Sequence, residues 1–251
     1  MRDEGCPATV AGHLLCGALM LRHLSVDFWH TLGEPNPAYA ALRSQTLAEF
    51  YGVSVETAEF LYKNLKRSWE ASAVETGRVP DLAALRGQLR NLLERDLTDS
   101  RWEAMLAQLN QLFAENPPSL NQHALDKLRL LRMQLGLTLS VGSNTNFIIR
   151  GETIRSLLPE RLFHFQLYSD QLGRCKPCPQ FYANVLVQAA KRNPKVTRPA
   201  DVGHVGDNLL CDVEAPMALG LRAWSCGHGT PVTGVFDRII AEETYGELTS
   251  A

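Results

Sequence analysis

Short apolar segments alternate with amphipathic helices through the second half of the chain, and this alternation limits the folds that it can adopt. Repeated strand–helix units of this length form parallel sheets with right-handed crossovers. The chain therefore predicts an α/β fold with a doubly wound parallel sheet. The predicted strands lie at 21–28, 137–141, 163–168, 202–205 and 221–224, and the predicted helices between them at 119–135, 146–158, 179–191 and 208–219.

The region between the first predicted strand and the second is helical throughout. Four helix starts are predicted from Pro37, from Ser54 and Asp81 as N-caps, and from a capping box of Ser100 and Glu103. The third of these helices carries one apolar stripe of leucines at 82, 85, 89 and 92. Since no strand interrupts this region, we expect a helical domain at 37–116, inserted into a core formed by 20–36 and 117–251.

Composition excludes several classes of protein. With 45% hydrophobic and 21% charged residues, the 251-residue chain is typical of a soluble globular protein. A net charge of −2 favours neither nucleic acid nor an anionic membrane as a partner. No apolar run is long enough to span a membrane, and six cysteines without tight spacing are typical of reduced cytosolic thiols. We expect a cytoplasmic protein, of an oligomeric state that the sequence does not indicate.

Residues 1–19 are expected to be a dispensable extension or an over-long start. The segment 10–21 is mostly apolar, but Arg2 is offset by Asp3 and Glu4, so the positive region of a signal peptide is missing. Leu15 is also too large for the small residue that precedes the cysteine at a lipoprotein cleavage site. A targeting signal is therefore the less favoured alternative.

Polar residues follow four of the predicted strands, and in a doubly wound sheet such strand ends converge on one crevice. They are Asp27, Ser143 with Asn144, Lys176, and Asp207 with Asp212. Lysine and serine can stabilise a developing anion, carboxylates can hold Mg²⁺, and Asp27 could attack phosphorus to form an aspartyl phosphate. Taken alone, Asp27 could equally be a strand-terminal residue that caps the next turn.

In this order, these residues resemble the four motifs of the haloacid dehalogenase-like hydrolase superfamily. The matching segments are Asp27 followed by Thr31-Leu32, then Ser143-Asn144, Lys176-Pro177, and Gly206-Asp207-Asn208 through Asp212. The resemblance implies a Rossmann-like core, a helical cap between the first two motifs, and Asp27 as nucleophile. It also implies Mg²⁺ held by the carboxylates of Asp27 and Asp207 and by the backbone carbonyl of Trp29. We include Asp212 as a further candidate ligand.

Two positions depart from the family pattern. Phosphatases of the family carry a second Asp, the general acid and base, where this chain has Trp29, and a Gly where it has His30. Tryptophan cannot transfer protons at neutral pH, whereas histidine could replace the missing acid. A structural or cap-facing role for His30 is the alternative. Dehalogenases of the family carry an aromatic residue at the Trp29 position but lack the metal-binding Gly-Asp pattern that this chain keeps.

The sequence favours a Mg²⁺-dependent hydrolase that acts on a small phosphorylated metabolite, with Asn144, Trp29 and His30 as candidate substrate contacts. Two alternatives stay open: a metal-free 2-haloacid dehalogenase-like hydrolase, and a catalytically weak protein that binds a phosphorylated ligand. Cys175 and Cys178 have the CxxC spacing of redox and zinc sites, but no second cysteine pair accompanies them. We interpret that spacing as coincidence.

Overall fold

The computed structural model describes residues 20–78, 81–145, 148–227 and 229–248. The expected extension at 1–19, and Pro80 ahead of the third predicted helix, lie outside the described residues. The core is a parallel sheet of five strands in the order β5-β4-β1-β6-β7, which confirms the predicted α/β fold. The strands in chain order are β1 (His23–Val26), β2 (Gly33–Glu34), β3 (Ser119–Leu120), β4 (Thr138–Ser143), β5 (Phe165–Tyr168), β6 (Val202–Gly206) and β7 (Arg222–Ser225).

Ten α-helices are assigned within the described residues. The second and third begin at the predicted N-caps Ser54 and Asp81, and the first is capped by Asn36, directly before the predicted start at Pro37. Asn36, Ser54 and Asp81 accept hydrogen bonds from backbone N–H groups two or three residues ahead, at 2.9, 3.2 and 2.8 Å. The helices are α1 (Pro37–Tyr51), α2 (Val55–Thr76), α3 (Leu82–Leu93), α4 (Asp99–Glu115), α5 (Gln122–Leu135), α6 (Gly151–Leu157), α7 (Ser169–Leu172), α8 (Pro179–Arg192), α9 (Ala215–Ala218) and α10 (Val232–Leu248).

Three local predictions are wrong. α4 begins at Asp99, because Thr98 and not Ser100 accepts the hydrogen bond from the N–H of Arg101, at 3.4 Å. The helix predicted at 119–135 begins only at Gln122, because Asn121 caps α5 and Ser119 belongs to β3. In the leucine stripe of α3, residues 85 and 89 are buried, whereas 82 and 92 are exposed, so the apolar face is narrower than predicted.

The four-helix segment, residues 37–116, leaves the core and returns to it at one joint. β2 pairs antiparallel with β3, so the chain crosses there in both directions. The N–H of Asn121 donates to the carbonyl of Leu32 at 2.9 Å, and the Asn36 side chain donates to the carbonyl of Pro117 at 3.2 Å. Sequence reasoning did not predict these two short strands, which are too short to show a periodic pattern.

The four-helix segment and the sheet share one continuous hydrophobic cluster. It extends from Leu24 and Val26 of β1 to Tyr39 of α1 and Trp69 of α2. A second cluster lies around Phe181 of α8, on the sheet face that α8 covers. No helix in the described part of the chain has both the length and the apolar character needed to cross a membrane.

The carboxyl end of α2 lies against the loop that carries Lys176. The N–H of Cys175 donates to the carbonyl of Gly77 at 3.1 Å, and the Cys175 thiol approaches the carbonyl of Ala73 at 3.8 Å. Gly77 ends α2 with a left-handed φ of 66°, and a Cβ atom there would lie 2.7 Å from Sγ of Cys178. The four-helix segment therefore contacts the chain directly beside a candidate catalytic residue.

Gly77→Ala should lower the free energy of unfolding by about 3 kcal/mol, because the left-handed backbone and the collision with Cys178 both oppose the new side chain. Gly136→Ala is the matched control. Gly136 has a φ of 63°, and no atom of the described residues lies within 4 Å of the place that a Cβ would take there. This substitution should cost only about 1 kcal/mol. Chemical denaturation measures both, and equal losses would show that α2 does not pack on this loop.

Candidate active site

Asp27 lies at the carboxyl edge of the sheet, directly after β1. β1 is the central strand, with β4 and β6 as its parallel neighbours. The N–H of Asp27 donates to the carbonyl of Val205 on β6 at 2.8 Å, which extends the strand pairing up to this residue. The residue is only 5% exposed. This fixed backbone holds the carboxylate where open α/β sheets place their ligands.

Lys176 bridges two buried carboxylates. Its Nζ donates to Oδ1 of Asp27 at 2.8 Å and to Oδ1 of Asp212 at 2.6 Å, and the side chain is 2% exposed. Burial acts to lower the Lys176 pKa, but the carboxylates of Asp212 and Asp27 outweigh it and raise the pKa above its usual value. The structure therefore holds a charged ammonium group against the candidate nucleophile.

Asp207 and Asp212 come from the carboxyl end of β6 and the π-helical segment Leu209–Glu214 that follows it. The N–H of Asn208 donates to Oδ2 of Asp212 at 3.0 Å, while Oδ1 lies 3.0 Å from Nε2 of His204. A Cβ atom at Gly206 would lie 2.3 Å from Cγ of Asp212. Gly206 is therefore required for the Asp212 carboxylate to approach the strand end this closely.

The pKa directions of the three carboxylates differ, and their surroundings explain why. Burial, together with the neighbouring Asp212, raises the pKa of Asp27, although Lys176 opposes it. Burial and both other carboxylates raise the pKa of Asp207. Burial also acts to raise the pKa of Asp212, but Lys176 and the hydrogen bond from His204 outweigh it and hold the pKa below its usual range. Asp212 is the carboxylate that the protein itself stabilises in its charged form.

The residues present fit a divalent cation. One carboxylate oxygen from each of Asp27, Asp207 and Asp212 lies within 4.8 Å of the others. Three carboxylates face one ammonium group, and a hard cation such as Mg²⁺ would neutralise the two charges in excess. Both oxygens of Asp212 already accept from protein donors, so Asp27 and Asp207 are the better placed ligands.

Asn144 contacts Lys176 and not an open surface. Its Oδ1 accepts from the N–H of Lys176 at 2.8 Å, and its Nδ2 donates to the carbonyl of the same residue at 2.9 Å. This pair of bonds fixes the backbone from which the lysine extends. The substrate contact expected of Asn144 stays a prediction. Ser143 is fully buried at the end of β4, and its hydroxyl donates a long hydrogen bond of 3.4 Å to the Asn144 carbonyl.

Trp29 and His30 form the tight turn after Asp27. The N–H of His30 donates to the carbonyl of Gly33 at 2.9 Å, and His30 adopts a left-handed φ of 54°, a conformation that suits the Gly of the family pattern. Its exposed ring lies 3.0 Å from the Glu34 carboxylate. The half-buried Trp29 packs edge to face on Phe28, with ring centroids 4.9 Å apart. No hydrogen bond within the described residues joins either side chain to Asp27.

Sequence reasoning missed two parts of the site. His204 is a fully buried residue of β6 that contacts Asp212, and its only sequence signal is a histidine inside an apolar strand just before Gly206. Thr145 binds the chain after β5, because its N–H donates to Oγ of Ser169 at 2.8 Å and its hydroxyl donates to Asp170 at 2.5 Å. Neither part has a recognisable motif.

The CxxC pair packs within the protein. Cys175 is buried and Cys178 is half-buried, and both contact the end of α2. Within the described ranges, the structure forms one group of three or more potential metal ligands. It consists of Asp27, Asp207 and Asp212 and contains no cysteine. The interpretation of the CxxC spacing as coincidence stays a prediction.

Comparison with curated proteins identifies relatives of part of the chain. No protein-family model matches it. The chain is 33% identical over 116 residues to haloacid dehalogenase-like hydrolase domain-containing protein 3 of Mus musculus, across 45% of this chain and 43% of the relative. It is 36% identical over 99 residues to the Homo sapiens protein of the same name, across 39% of this chain and 36% of the relative. The matches thus span less than half the length of these relatives.

Solved structures share the fold over most of the chain. A 2-haloacid dehalogenase from Pseudomonas syringae has a TM-score of 0.60 at 19% identity, covering 89% of this chain and 99% of its own. A magnesium-bound HAD-type hydrolase from Bacillus subtilis has a TM-score of 0.58 at 19% identity, covering 80% and 85%. A phosphoglycolate phosphatase predicted from Haemophilus somnus has a TM-score of 0.56 at 18% identity, covering 84% and 88%.

The curated relatives carry the same family name, and the shared fold extends over most of the chain. The four motif segments meet at one edge of the sheet in the order that the family requires. The chain therefore resembles the haloacid dehalogenase-like hydrolase superfamily in its motif segments, in part of its sequence and in its fold.

Proposed function

We propose that this protein is a Mg²⁺-dependent phosphohydrolase that acts on a small phosphorylated metabolite through a phosphoryl intermediate on Asp27. The observation that supports it most directly is the buried Lys176 ammonium, which joins Asp27 to Asp212 beside Asp207. This arrangement combines a carboxylate nucleophile, a fixed positive charge and an acidic cluster in one crevice. Each is needed to transfer a phosphoryl group onto a carboxylate.

In the first half of the reaction, an Asp27 carboxylate oxygen attacks phosphorus and forms the new O–P bond. The bond between phosphorus and the leaving oxygen breaks, and the leaving group departs with its electron pair. Lys176 lies 2.8 Å from Oδ1 of Asp27, so its charge is placed to offset the negative charge on the phosphoryl oxygens. The bond from the Ser143 hydroxyl to the Asn144 carbonyl is long, at 3.4 Å, so this hydroxyl is able to turn toward the same oxygens.

In the second half, water attacks phosphorus, the Asp27 O–P bond breaks, and inorganic phosphate is released with Asp27 regenerated. When bound between Asp27 and Asp207, with the Trp29 carbonyl as a third protein ligand, Mg²⁺ would neutralise charge on the phosphoryl group. Asp212 holds Lys176 in place throughout, since both of its oxygens accept from protein donors. The cation would therefore balance the charge at Asp27, whereas Lys176 is held in a fixed position beside the same carboxylate.

The four-helix segment is proposed to act as a cap. The end of α2 contacts Cys175 and Cys178 on either side of Lys176. Ile148, after β4, lines the same small cavity as Tyr62 and Trp69 of α2. These contacts fall on the loops at the carboxyl edge of the sheet. A helical segment in this place would exclude water from the phosphoryl group and contact the rest of the substrate.

A metal-free dehalogenase-like reaction is the second candidate, and Trp29 is the observation that favours it. An indole packed on Phe28 occupies the position of the phosphatase general acid and matches the aromatic residue of the family's dehalogenases. Asp27 would then attack carbon and displace halide. The cluster of Asp27 with Asp207 and Asp212 favours the phosphatase. A catalytically weak protein that binds a phosphorylated ligand would keep the cluster and show no turnover.

Asp207→Asn should weaken Mg²⁺ binding at least about tenfold, because it removes one of two carboxylates with oxygens free for the ion. Isothermal titration calorimetry measures this, with the exposed Asp237→Asn as a control that should bind Mg²⁺ like the wild type. A panel of phosphate esters and 2-haloacids, assayed in Mg²⁺ and in EDTA, then separates the candidates. Halide release in EDTA would contradict the phosphatase, and metal-dependent phosphate release would support it.

A further inference from the structure

A line of buried polar side chains continues from the active site into the sheet. Lys176 and His204 both contact the same oxygen of Asp212, at 2.6 and 3.0 Å. Because a carboxylate only accepts hydrogen bonds, Nε2 of His204 must carry a proton and donate it. The imidazole is fully buried, and Tyr182 packs edge to face against it at 5.2 Å between ring centroids. His204 therefore has a fixed orientation directly behind Asp212.

The other ring nitrogen of His204 is buried on the sheet face that also carries the Ser25 hydroxyl. Nδ1 of His204 and Oγ of Ser25 are both buried without a hydrogen-bond partner in the described structure. Ser25 and His204 are register partners on the parallel strands β1 and β6, so their side chains lie on the same face of the sheet. Both border the space above Gly142, where a Cβ atom would lie 2.9 Å from Oγ of Ser25 and 3.7 Å from Cε1 of His204.

We propose that His204, oriented by the Ser25 hydroxyl directly or through one water, is a positioning residue that keeps the Lys176 ammonium on Asp27. The inference rests on the proposed function of that site. Lys176 has two carboxylate partners, and the donor from His204 reduces the hold of Asp212 on the ammonium, because it shares the same oxygen. In the structure the ammonium lies 2.8 Å from Oδ1 of Asp27. Without the His204 donor, Asp212 would draw the ammonium away from Asp27 and from the oxygens of a phosphoryl group bound to Asp27.

His204→Leu should lower kcat about 10- to 100-fold with little change in KM, as expected for loss of a group that orients a catalytic residue. His204→Gln should restore most of kcat, because a glutamine amide can place a donor where Nε2 lies. A purely structural role would make both variants lose stability together without separating their kcat values. Activity is measured with p-nitrophenyl phosphate and Mg²⁺, and folding by thermal denaturation of each variant. Two variants with equal kcat would overturn the proposal.

A spectroscopic test is independent of turnover. The ¹⁵N and ¹H resonances of the imidazole show which nitrogen carries the proton and whether the other accepts a hydrogen bond. We expect a protonated Nε2, and an Nδ1 resonance that shifts on Ser25→Ala. A protonated Nδ1, or an Nδ1 resonance unchanged in Ser25→Ala, would overturn the role of Ser25 even if the protein has no phosphatase activity. An inactive wild type with the expected resonances would instead reject the proposed function alone.

Thermal stability distinguishes a bonded Ser25 from an unpaired one. Loss of a buried hydroxyl that is hydrogen-bonded destabilises a protein, whereas loss of an unpaired one is neutral or stabilising. Ser140→Ala is the matched control, since Oγ of Ser140 lies 2.9 Å from Nε2 of His23 on the same sheet. We expect Ser25→Ala to lower the melting temperature as Ser140→Ala does. A melting temperature at or above that of the wild type would contradict the hydrogen bond to His204.

Discussion

Asp27→Asn should abolish turnover, by about 10⁴-fold or more, and at the same time stabilise the protein in EDTA. The loss of activity follows because an amide cannot act as the nucleophile. The gain in stability, about 1 kcal/mol, follows because the Asp27 carboxylate has one side-chain donor and two acidic neighbours. Enzyme assays and thermal denaturation measure the two effects on the same sample.

The predicted gain in stability on Asp27→Asn follows from the raised pKa of Asp27. A carboxyl group whose pKa is higher in the folded state stabilises that state while it is protonated, and this contribution is lost as pH rises through the folded pKa. At neutral pH the ionised Asp27 is therefore unfavourable without a cation, and asparagine resembles its protonated form. Mg²⁺ should stabilise the wild type and have little effect on Asp27→Asn.

Asp212→Asn is the matched control, and its effect on stability should have the opposite sign. The pKa of Asp212 is lowered, so its contribution is present above the unfolded-state pKa and is lost as pH falls through the folded one. Removing this partner of the buried Lys176 should cost about 3–5 kcal/mol. Equal effects of the two substitutions would contradict the assignment of Asp27 as the reactive carboxylate and Asp212 as the structural one.

The wild-type enzyme should hydrolyse an activated aryl or acyl phosphate measurably and a sugar phosphate little or not at all. General acid catalysis contributes about 10²–10⁴-fold, and it matters most where the leaving alkoxide needs a proton. Trp29 cannot supply that proton, and the His30 ring lies on Glu34, 3.0 Å away. Steady-state rates on p-nitrophenyl phosphate and on a set of sugar phosphates measure the difference.

Trp29→Asp tests whether only the acid is missing. It should raise the rate on sugar phosphates, provided that loss of the indole packed on Phe28 does not loosen the turn. Thermal denaturation of Trp29→Asp is the control, with Trp29→Phe as the variant that keeps an aromatic ring. A folded Trp29→Asp without any gain, or sugar-phosphate turnover by the wild type at ordinary rates, would contradict this account of Trp29. If the wild type turned over sugar phosphates, His30 would be the first residue to test as the replacement acid.

The fold was predictable from the sequence because its signals are local and repeated. Residues such as Ser54 and Asp81 mark helix starts through backbone chemistry that does not depend on the rest of the protein. Two helix starts were wrong. At α4 another hydroxyl residue, Thr98, stands two residues before the predicted Ser100. At α5, Ser119 of β3 pairs with Glu34 of β2, and Asn121 caps the helix.

The candidate site was predictable only in part. Asp27, Lys176, Asp207 and Asp212 were recognisable because each is a polar residue in a segment that follows a strand. Their partners depend on side-chain orientation, which spacing does not fix. Asn144 turns to the Lys176 backbone, and His204 reaches Asp212 from inside the sheet. The division of the chain at 37–116, and the dispensability of 1–19, stay predictions.

The most direct test of the central claim is to trap the phosphoryl group on Asp27. Wild-type protein is mixed with an activated aryl phosphate and Mg²⁺ and quenched in acid during turnover, and its peptides are then examined by mass spectrometry. The account predicts a phosphoryl group on the peptide that contains Asp27, absent from Asp27→Asn and from samples in EDTA. Turnover without this group, or with the group on another residue, would contradict Asp27 as the nucleophile.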